Sequence, residues 1–150
     1  MSASEIAKLR EETGAGVMDC KKALEEASGD YKKAKAILAT NAAAIAKKKA
    51  ERATNHGIIE VYNHGGKVGV LVEVLCESDF VVKSPLFREL TKNIALQIAS
   101  MNSKDVSELL SQEYIKDPGM TIESYIHSII GQIKENIKIT RFIRYELGEQ

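Results

Sequence analysis

Hydrophobic residues recur at helical spacing through the first forty positions of the chain. Ser2 followed by Glu5 forms a capping-box pattern that predicts the start of a first helix, and the glycines within residues 13–16 predict its end. Ser-Gly-Asp at residues 28–30 separates a second helix from a third, which the aspartate can cap. We therefore predict a three-helix domain over residues 1–40.

Alanine and lysine dominate the next stretch, residues 41–54. Both are strong helix formers, but the stretch offers almost nothing large to bury, so we interpret it as a helical linker. Lys47, Lys48 and Lys49 lie within it without interleaved aromatic residues, which is typical of a solvated helix face rather than of a nucleic-acid site. We do not expect nucleic acid as a partner.

Beyond residue 55 the pattern changes from helical spacing to alternation. Two alternating runs, Ile58 to Tyr62 and Lys67 to Cys76, flank the turn-forming residues 63–66 and predict a β-hairpin. The second run places alternate valines and a cysteine on one face of its strand; they are Val68, Val70, Val72, Val74 and Cys76. This valine face requires a cover.

Two later helices, at about residues 85–101 and 121–135, carry apolar stripes that can supply that cover. We expect the first stripe to comprise Leu86, Leu90, Ile94, Ile98 and Met101. Residues 117–119, Asp-Pro-Gly, predict a turn between the helices, and residues 137–147 alternate as a final strand. The whole pattern predicts an α+β protein, in which a mainly antiparallel sheet packs with helices over residues 55–150.

Charge and apolar runs narrow the class of protein. Basic and acidic residues both number 21, so no overall charge attracts nucleic acid. No apolar run is long enough for a membrane span or a signal peptide, so we expect a cytoplasmic protein that does not bind a membrane. Cys20 and Cys76 are widely separated; they are either reduced, partly buried thiols or partners in a disulfide within or between chains.

Residues typical of catalysis or of cofactor binding are not grouped along the chain. His56, His64 and His127 show no spacing that suggests a shared metal. No glycine-rich phosphate loop follows a strand, so we expect neither a cofactor nor direct nucleotide binding. An enzyme would need Asp79 or Glu77 as an acid or base, and no nucleophile or second carboxylate is placed to cooperate with it. We expect no covalent chemistry.

Residues 77–82, Glu-Ser-Asp-Phe-Val-Val, are the exception to this plain pattern, because an acid and an aromatic stand together where the second strand ends. Loops at element boundaries often carry function. The alternative is structural: Asp79 caps a short turn while Phe80 packs into the core. The pattern alone leaves both interpretations open.

Three stretches carry a resemblance to a known family: residues 9–24 (LREETGAGVMDCKKAL), 73–83 (EVLCESDFVVK) and 135–141 (ENIKITR). Each resembles a signature of the elongation factor Ts family, and together they span nearly the whole chain. The chain departs from the family pattern at Leu75, Ser78 and Val82, where asparagine, threonine and a small residue are usual.

The resemblance implies a guanine-nucleotide exchange factor that binds elongation factor Tu carrying GDP. In the family an N-terminal domain, similar to ubiquitin-associated (UBA-like) domains, grips the partner, and Arg10, Val17 and Met18 match that contact. A loop of the core, here Ser78, Asp79, Phe80 and Val81, is inserted near the partner's magnesium site. The chain resembles the short, single-core members, which form homodimers, so we expect a homodimer. A UBA-like binding adaptor and an exchange-inactive family member remain the alternatives.

Overall fold

The computed structural model describes residues 2–149 and confirms an α+β fold. The helices are α1 (Ala3–Thr13), α2 (Val17–Glu26), α3 (Tyr31–Lys49), α4 (Asp79–Val82), α5 (Pro85–Met101), α6 (Val106–Ser111) and α7 (Ile122–Ile133). The strands are β1 (His56–His64), β2 (Val68–Cys76), β3 (Glu113–Tyr114), β4 (Asp117–Thr121) and β5 (Ile137–Glu146). Helices come first along the chain, and antiparallel strands mixed with helices follow, as the pattern predicts.

A first compact unit contains the chain up to Glu51 together with His127–Lys134. Two of its helices, α1 and α3, begin at side-chain caps: the Ser2 hydroxyl accepts from the Glu5 N–H at 3.2 Å, and the Asp30 carboxylate accepts from the Lys33 N–H at 3.1 Å. These contacts satisfy N–H groups that have no partner within the helix. A small core is buried among the three helices; it consists of Leu9, Cys20, Ala23, Leu24, Ala27, Ala34 and Leu38.

Helix α3 is longer than the third helix that the sequence predicts. It runs without a break from Tyr31 to Lys49, through the predicted boundary at residue 40. The alanines and lysines beyond that boundary are good helix formers, so the helix continues where a separate linker was expected. The domain boundaries at residues 40 and 54 stay a prediction.

The second unit contains Arg52–Ile126 and the chain from Glu135 onward, and its centre is a three-stranded antiparallel sheet in the order β1-β2-β5. The predicted valine face is confirmed at Val70, Val72, Val74 and Cys76, which are each at most 2% exposed, whereas Val68 at the start of the strand is half-buried. Helix α5 packs against β1 and β2 and supplies the cover. The second half of α7, which was expected to share this role, groups with the first unit instead.

Three details of the predicted pattern are wrong. In α5 the buried stripe includes Phe87, which is fully buried, whereas Leu86 is only half-buried and Met101 is 45% exposed. The turn expected at residues 117–119 lies at residues 115–116, and Asp117 already begins β4. Helix α6 and the short β3–β4 pair were not predicted. Side chains of α5 hold this segment: Gln97 donates to the Glu113 carbonyl and accepts from the Ile115 N–H, both at 2.9 Å.

Gly57 marks a close approach between β1 and β2. It pairs with Leu75, and a Cβ atom added at Gly57 would lie 2.3 Å from the Val74 carbonyl oxygen and 2.9 Å from the Leu75 Cα atom. Both atoms belong to the backbone, so a side chain could fit only if the strands moved. Gly69 offers a contrast, because a Cβ atom added there would meet nothing within 4 Å.

We predict that Gly57→Ala lowers the free energy of unfolding by about 1–3 kcal/mol, because the added methyl forces the paired strands apart. Gly69→Ala, the matched control in the neighbouring strand, should change it by less than about 0.5 kcal/mol. Urea denaturation followed by circular dichroism measures both values. Equal effects of the two substitutions would contradict the described pairing of β1 with β2.

Candidate functional site

Strand β2 ends in a one-turn helix that exposes an aromatic side chain. Ser78 is the N-cap of α4, and its hydroxyl accepts from the Val81 N–H at 3.3 Å. Val81 and Val82 are 5% and 8% exposed, whereas Phe80, between Asp79 and these two anchors, is 85% exposed. The interpretation in which Asp79 is the cap and Phe80 packs into the core is therefore wrong. The ring of Phe80 is therefore accessible to a partner.

The carboxylate of Glu135 holds the start of this turn. Its Oε1 atom accepts from the backbone N–H groups of Glu77 and Ser78 at 3.1 and 3.0 Å, and its Oε2 atom accepts from the Ser78 hydroxyl at 2.6 Å. The Ser78 hydroxyl thus donates to one group while it accepts from the helix it caps. A threonine hydroxyl could make the same two hydrogen bonds, so the departure at Ser78 leaves this geometry possible.

Glu77 makes reciprocal contacts with the segment that contains Glu135. Its carboxylate accepts from the Asn136 N–H, and its Oε1 atom lies 3.5 Å from the Arg52 guanidinium. The Asn136 side chain in turn donates to the Arg52 carbonyl at 3.0 Å. Three segments that are distant in sequence, at Arg52, Glu77–Ser78 and Glu135–Asn136, are therefore joined at the base of α4. Both oxygens of the Glu77 carboxylate therefore make contacts that hold these segments together.

Cys76 adds one more contact to this base. It is fully buried, and burial raises the pKa of its thiol to about 11, so the sulfur stays protonated at neutral pH. It donates weakly to the Ser78 carbonyl at 3.4 Å. Cys20 is also free and buried, and burial raises the pKa of its thiol as well.

Asp79 is the acidic member of the predicted site and faces solvent. Its carboxylate lies 3.1 Å from the Lys83 ammonium, and the two side chains are 62% and 74% exposed. An ion pair so exposed contributes little to stability, so Asp79 can exchange this neighbour for another charged group at small cost. The structure therefore brings Ser78, Asp79, Phe80 and Val81 into one short element, in which Asp79 and Phe80 are accessible.

The other predicted contact residues lie in the first unit, at the start of α2 and on α1. Val17 and Met18 are 46% and 61% exposed, although both are apolar, and Arg10 is exposed on α1. Arg10 and Val17 line one open cleft of about 500 Å³, whose wall also includes Ala3, Ile6, Ala7 and Glu11. Met18 follows Val17 directly but is not part of that wall.

Neither a metal site nor a membrane span is found in the part of the chain that the structure describes. Within residues 2–149, no group of three or more histidine, cysteine, aspartate or glutamate side chains could hold a metal ion. The helices in the same range are too short or too polar to cross a bilayer.

Known proteins are similar in sequence to this chain over nearly its whole length. Residues 10–108 and 77–150 match the family described as Elongation factor TS. A protein from Thermoanaerobacter sp. (strain X514) named Elongation factor Ts is 39% identical over 195 aligned positions, which cover 99% of this chain and 96% of that protein. The chain belongs to the elongation factor Ts family.

Other members of the elongation factor Ts family support the assignment. The factor from Caldanaerobacter subterraneus subsp. tengcongensis is 40% identical, with 99% of this chain and 98% of that protein covered. The one named chloroplastic, from Guillardia theta, is 39% identical, with coverages of 99% and 90%. The alignment with the Thermoanaerobacter protein spans 195 positions against 150 residues here, so at least 45 positions of that elongation factor Ts have no counterpart in this chain.

Sequence reasoning missed Glu135 as part of the site. It lies within one of the stretches that resemble the family, but it is separated from Glu77 and Ser78 by 58 and 57 positions. No local pattern links residues so far apart. Only the return of the chain into β5 beside the end of β2 brings them together.

Proposed function

We propose that this protein is a guanine-nucleotide exchange factor that binds elongation factor Tu carrying GDP and promotes GDP release. The observation that carries the proposal is the 85% exposure of Phe80 on a turn anchored by Val81 and Val82. Membership of the elongation factor Ts family supplies the partner. The protein acts by binding and needs no cofactor, and we place it in the cytoplasm, where translation occurs.

The Asp79–Phe80 loop enters the partner near its magnesium site. In elongation factor Tu, bound magnesium and the phosphate loop hold GDP tightly. An inserted aromatic ring that displaces the residues supporting them therefore weakens GDP binding. The free energy that drives GDP release comes from differential binding, because the exchange factor binds nucleotide-free elongation factor Tu more tightly than the GDP-bound form. Phe80 suits the role of wedge because it can be inserted without being removed from the protein's own core.

The first unit supplies affinity. Val17 and Met18 offer exposed apolar surface, and Arg10 lies beside Val17 at the cleft, which together suit a contact with a protein surface. We assign to these three residues the grip on the nucleotide-binding domain of elongation factor Tu. This division of labour separates how tightly the factor binds from how fast it releases GDP.

We predict that Phe80→Ala lowers the rate of GDP release at a saturating concentration of this protein by about 10- to 100-fold, because the complex with elongation factor Tu then lacks the aromatic wedge. Met18→Ala should leave that saturating rate unchanged and raise the half-saturating concentration about 5- to 30-fold, as expected for loss of a contact residue. Stopped-flow release of fluorescent GDP from elongation factor Tu, over a range of factor concentrations, separates the two quantities.

Met101→Ala is the matched control, because Met101 is an exposed methionine of the second unit to which no role is assigned. It should behave as the unsubstituted protein. Phe80→Ala should also leave stability within about 0.5 kcal/mol, since the ring makes few contacts in the free protein. An unchanged saturating rate in Phe80→Ala would refute the wedge. Binding without any accelerated release by the unsubstituted protein would instead favour an adaptor or an inactive family member.

We also propose that the protein is a homodimer that pairs through the outer face of the sheet. Residues exposed on that face form an apolar strip across all three strands, in which Val61 pairs with Leu71 and Leu71 pairs with Ile143. Their exposures are 66%, 45% and 46%, and Tyr145 extends the strip at 73%. A strip of this kind suits a second copy, because a two-fold axis lets the same surface cover itself.

An antiparallel sheet also leaves edges that a second copy could cover, but the exposed strip supports a contact through the face. We predict that Leu71→Glu converts the dimer to a monomer, because a carboxylate at the centre of the strip would be buried without a partner. Met101→Glu, the matched control at the same 45% exposure, should remain dimeric. Sedimentation velocity distinguishes a 16.5 kDa chain from twice that mass. A monomeric unsubstituted protein, or a dimeric Leu71→Glu variant, would contradict this interface.

A further inference from the structure

Helix α4 cannot hold its own shape. It has only four residues, Asp79–Val82, and a single turn of helix is unfavourable in isolation because few hydrogen bonds offset the ordering of the backbone. Its geometry therefore depends on contacts from outside the turn. Those contacts are the burial of Val81 and Val82 and the hydrogen bonds that hold Ser78.

Glu135 accepts three hydrogen bonds at the start of α4. One carboxylate accepts from three donors, the N–H groups of Glu77 and Ser78 and the Ser78 hydroxyl. Hydrogen bonds to an ionised acceptor are stronger and shorter than those between neutral groups. Because the same hydroxyl caps α4 through the Val81 N–H, Glu135 fixes both the backbone and the cap.

The position of Glu135 is itself fixed. Glu135 precedes Asn136, which is 3% exposed and whose N–H donates to Glu77. The carboxylates of Glu77 and Glu135 thus each bind the backbone of the other's segment, which leaves the carboxylate of Glu135 little freedom to move.

We propose that Glu135 is a positioning residue for nucleotide exchange, because its carboxylate holds the start of α4 in the one orientation that presents Phe80. This inference rests on the proposed exchange function. Phe80 has almost no packing of its own, so its direction is set by the backbone of residues 78–81. Without the carboxylate that backbone samples other orientations, and the rate falls with the fraction of molecules in the competent one.

Two substitutions at Glu135 test the role, measured by GDP release from elongation factor Tu. Glu135→Ala should lower the saturating release rate about 5- to 20-fold, because the competent fraction falls. The half-saturating concentration should change less than about threefold, since the first unit carries the affinity. Glu135→Gln should lower the saturating release rate only about two- to fourfold, because the carbonyl oxygen of the glutamine can still accept from the two N–H groups. Glu89→Ala, the loss of an exposed glutamate on α5, should change neither quantity.

Amide hydrogen exchange in the free protein tests the contact without any partner. The Ser78 N–H should exchange at least about tenfold faster in Glu135→Ala, while amides of β1 and β2 away from the turn keep their protection. A general loss of protection would show that Glu135 acts on overall stability, and this would overturn the inference. If Glu135→Ala does not fold, the graded loss in Glu135→Gln decides in its place.

The Phe80→Ala background separates positioning from other roles. If Glu135 acts through Phe80, Glu135→Ala should cause no further loss of rate when Phe80 is already alanine. A double variant whose loss of rate is the sum of the two single losses, in free-energy terms, would overturn the inference. So would a full rate in Glu135→Ala beside a slow Phe80→Ala variant, which leaves the proposed function intact. A full rate in Phe80→Ala itself would refute the wedge, and the positioning role with it.

Discussion

Burial of one face of β2 is the constraint on which the second unit depends. Val70, Val72 and Val74 are nearly inaccessible beneath α5, and β2 pairs with a strand on each side. Because side chains alternate across a strand, the residues between these valines must point to the opposite face. The same alternation that builds the core therefore directs Leu71 to the outer face, where it lies between Val61 and Ile143. One strand thus provides both the core of the unit and the surface proposed for pairing.

The site follows from where that buried strand ends. Cys76 is the last residue of β2 and is fully buried, and Phe80 is exposed on the short helix that follows it. Glu77 and Ser78 follow this strand and are hydrogen-bonded to Glu135, so the turn that carries Phe80 is held at its start. An exposed side chain on such a turn is well placed for binding, because little ordering remains to oppose association.

The sequence predicts the parts of the fold that local patterns specify. The strand β2 and the helix Pro85–Met101 follow from alternation and from an apolar stripe with a proline at its start. The segment from α6 to β4 was missed because it is held by Gln97, whose amide bonds the backbone of residues 113 and 115 from a helix earlier in the chain. The pattern left open whether Phe80 is buried, because one aromatic beside two valines fits either outcome. Local patterns could not assign Glu135 to the site, because its partners lie 58 and 57 positions away in the sequence.

An exchange factor must bind the nucleotide-free form of its partner more tightly than the GDP-bound form. The coupling is reciprocal: GDP weakens the binding of the exchange factor by the same ratio as the exchange factor weakens the binding of GDP. The most direct test is a titration of the unsubstituted protein against elongation factor Tu, once free of nucleotide and once saturated with GDP. We predict that GDP weakens the binding of the protein at least about tenfold. Equal affinities in the two titrations would contradict the exchange function, because a protein that binds both forms equally cannot change the affinity for GDP.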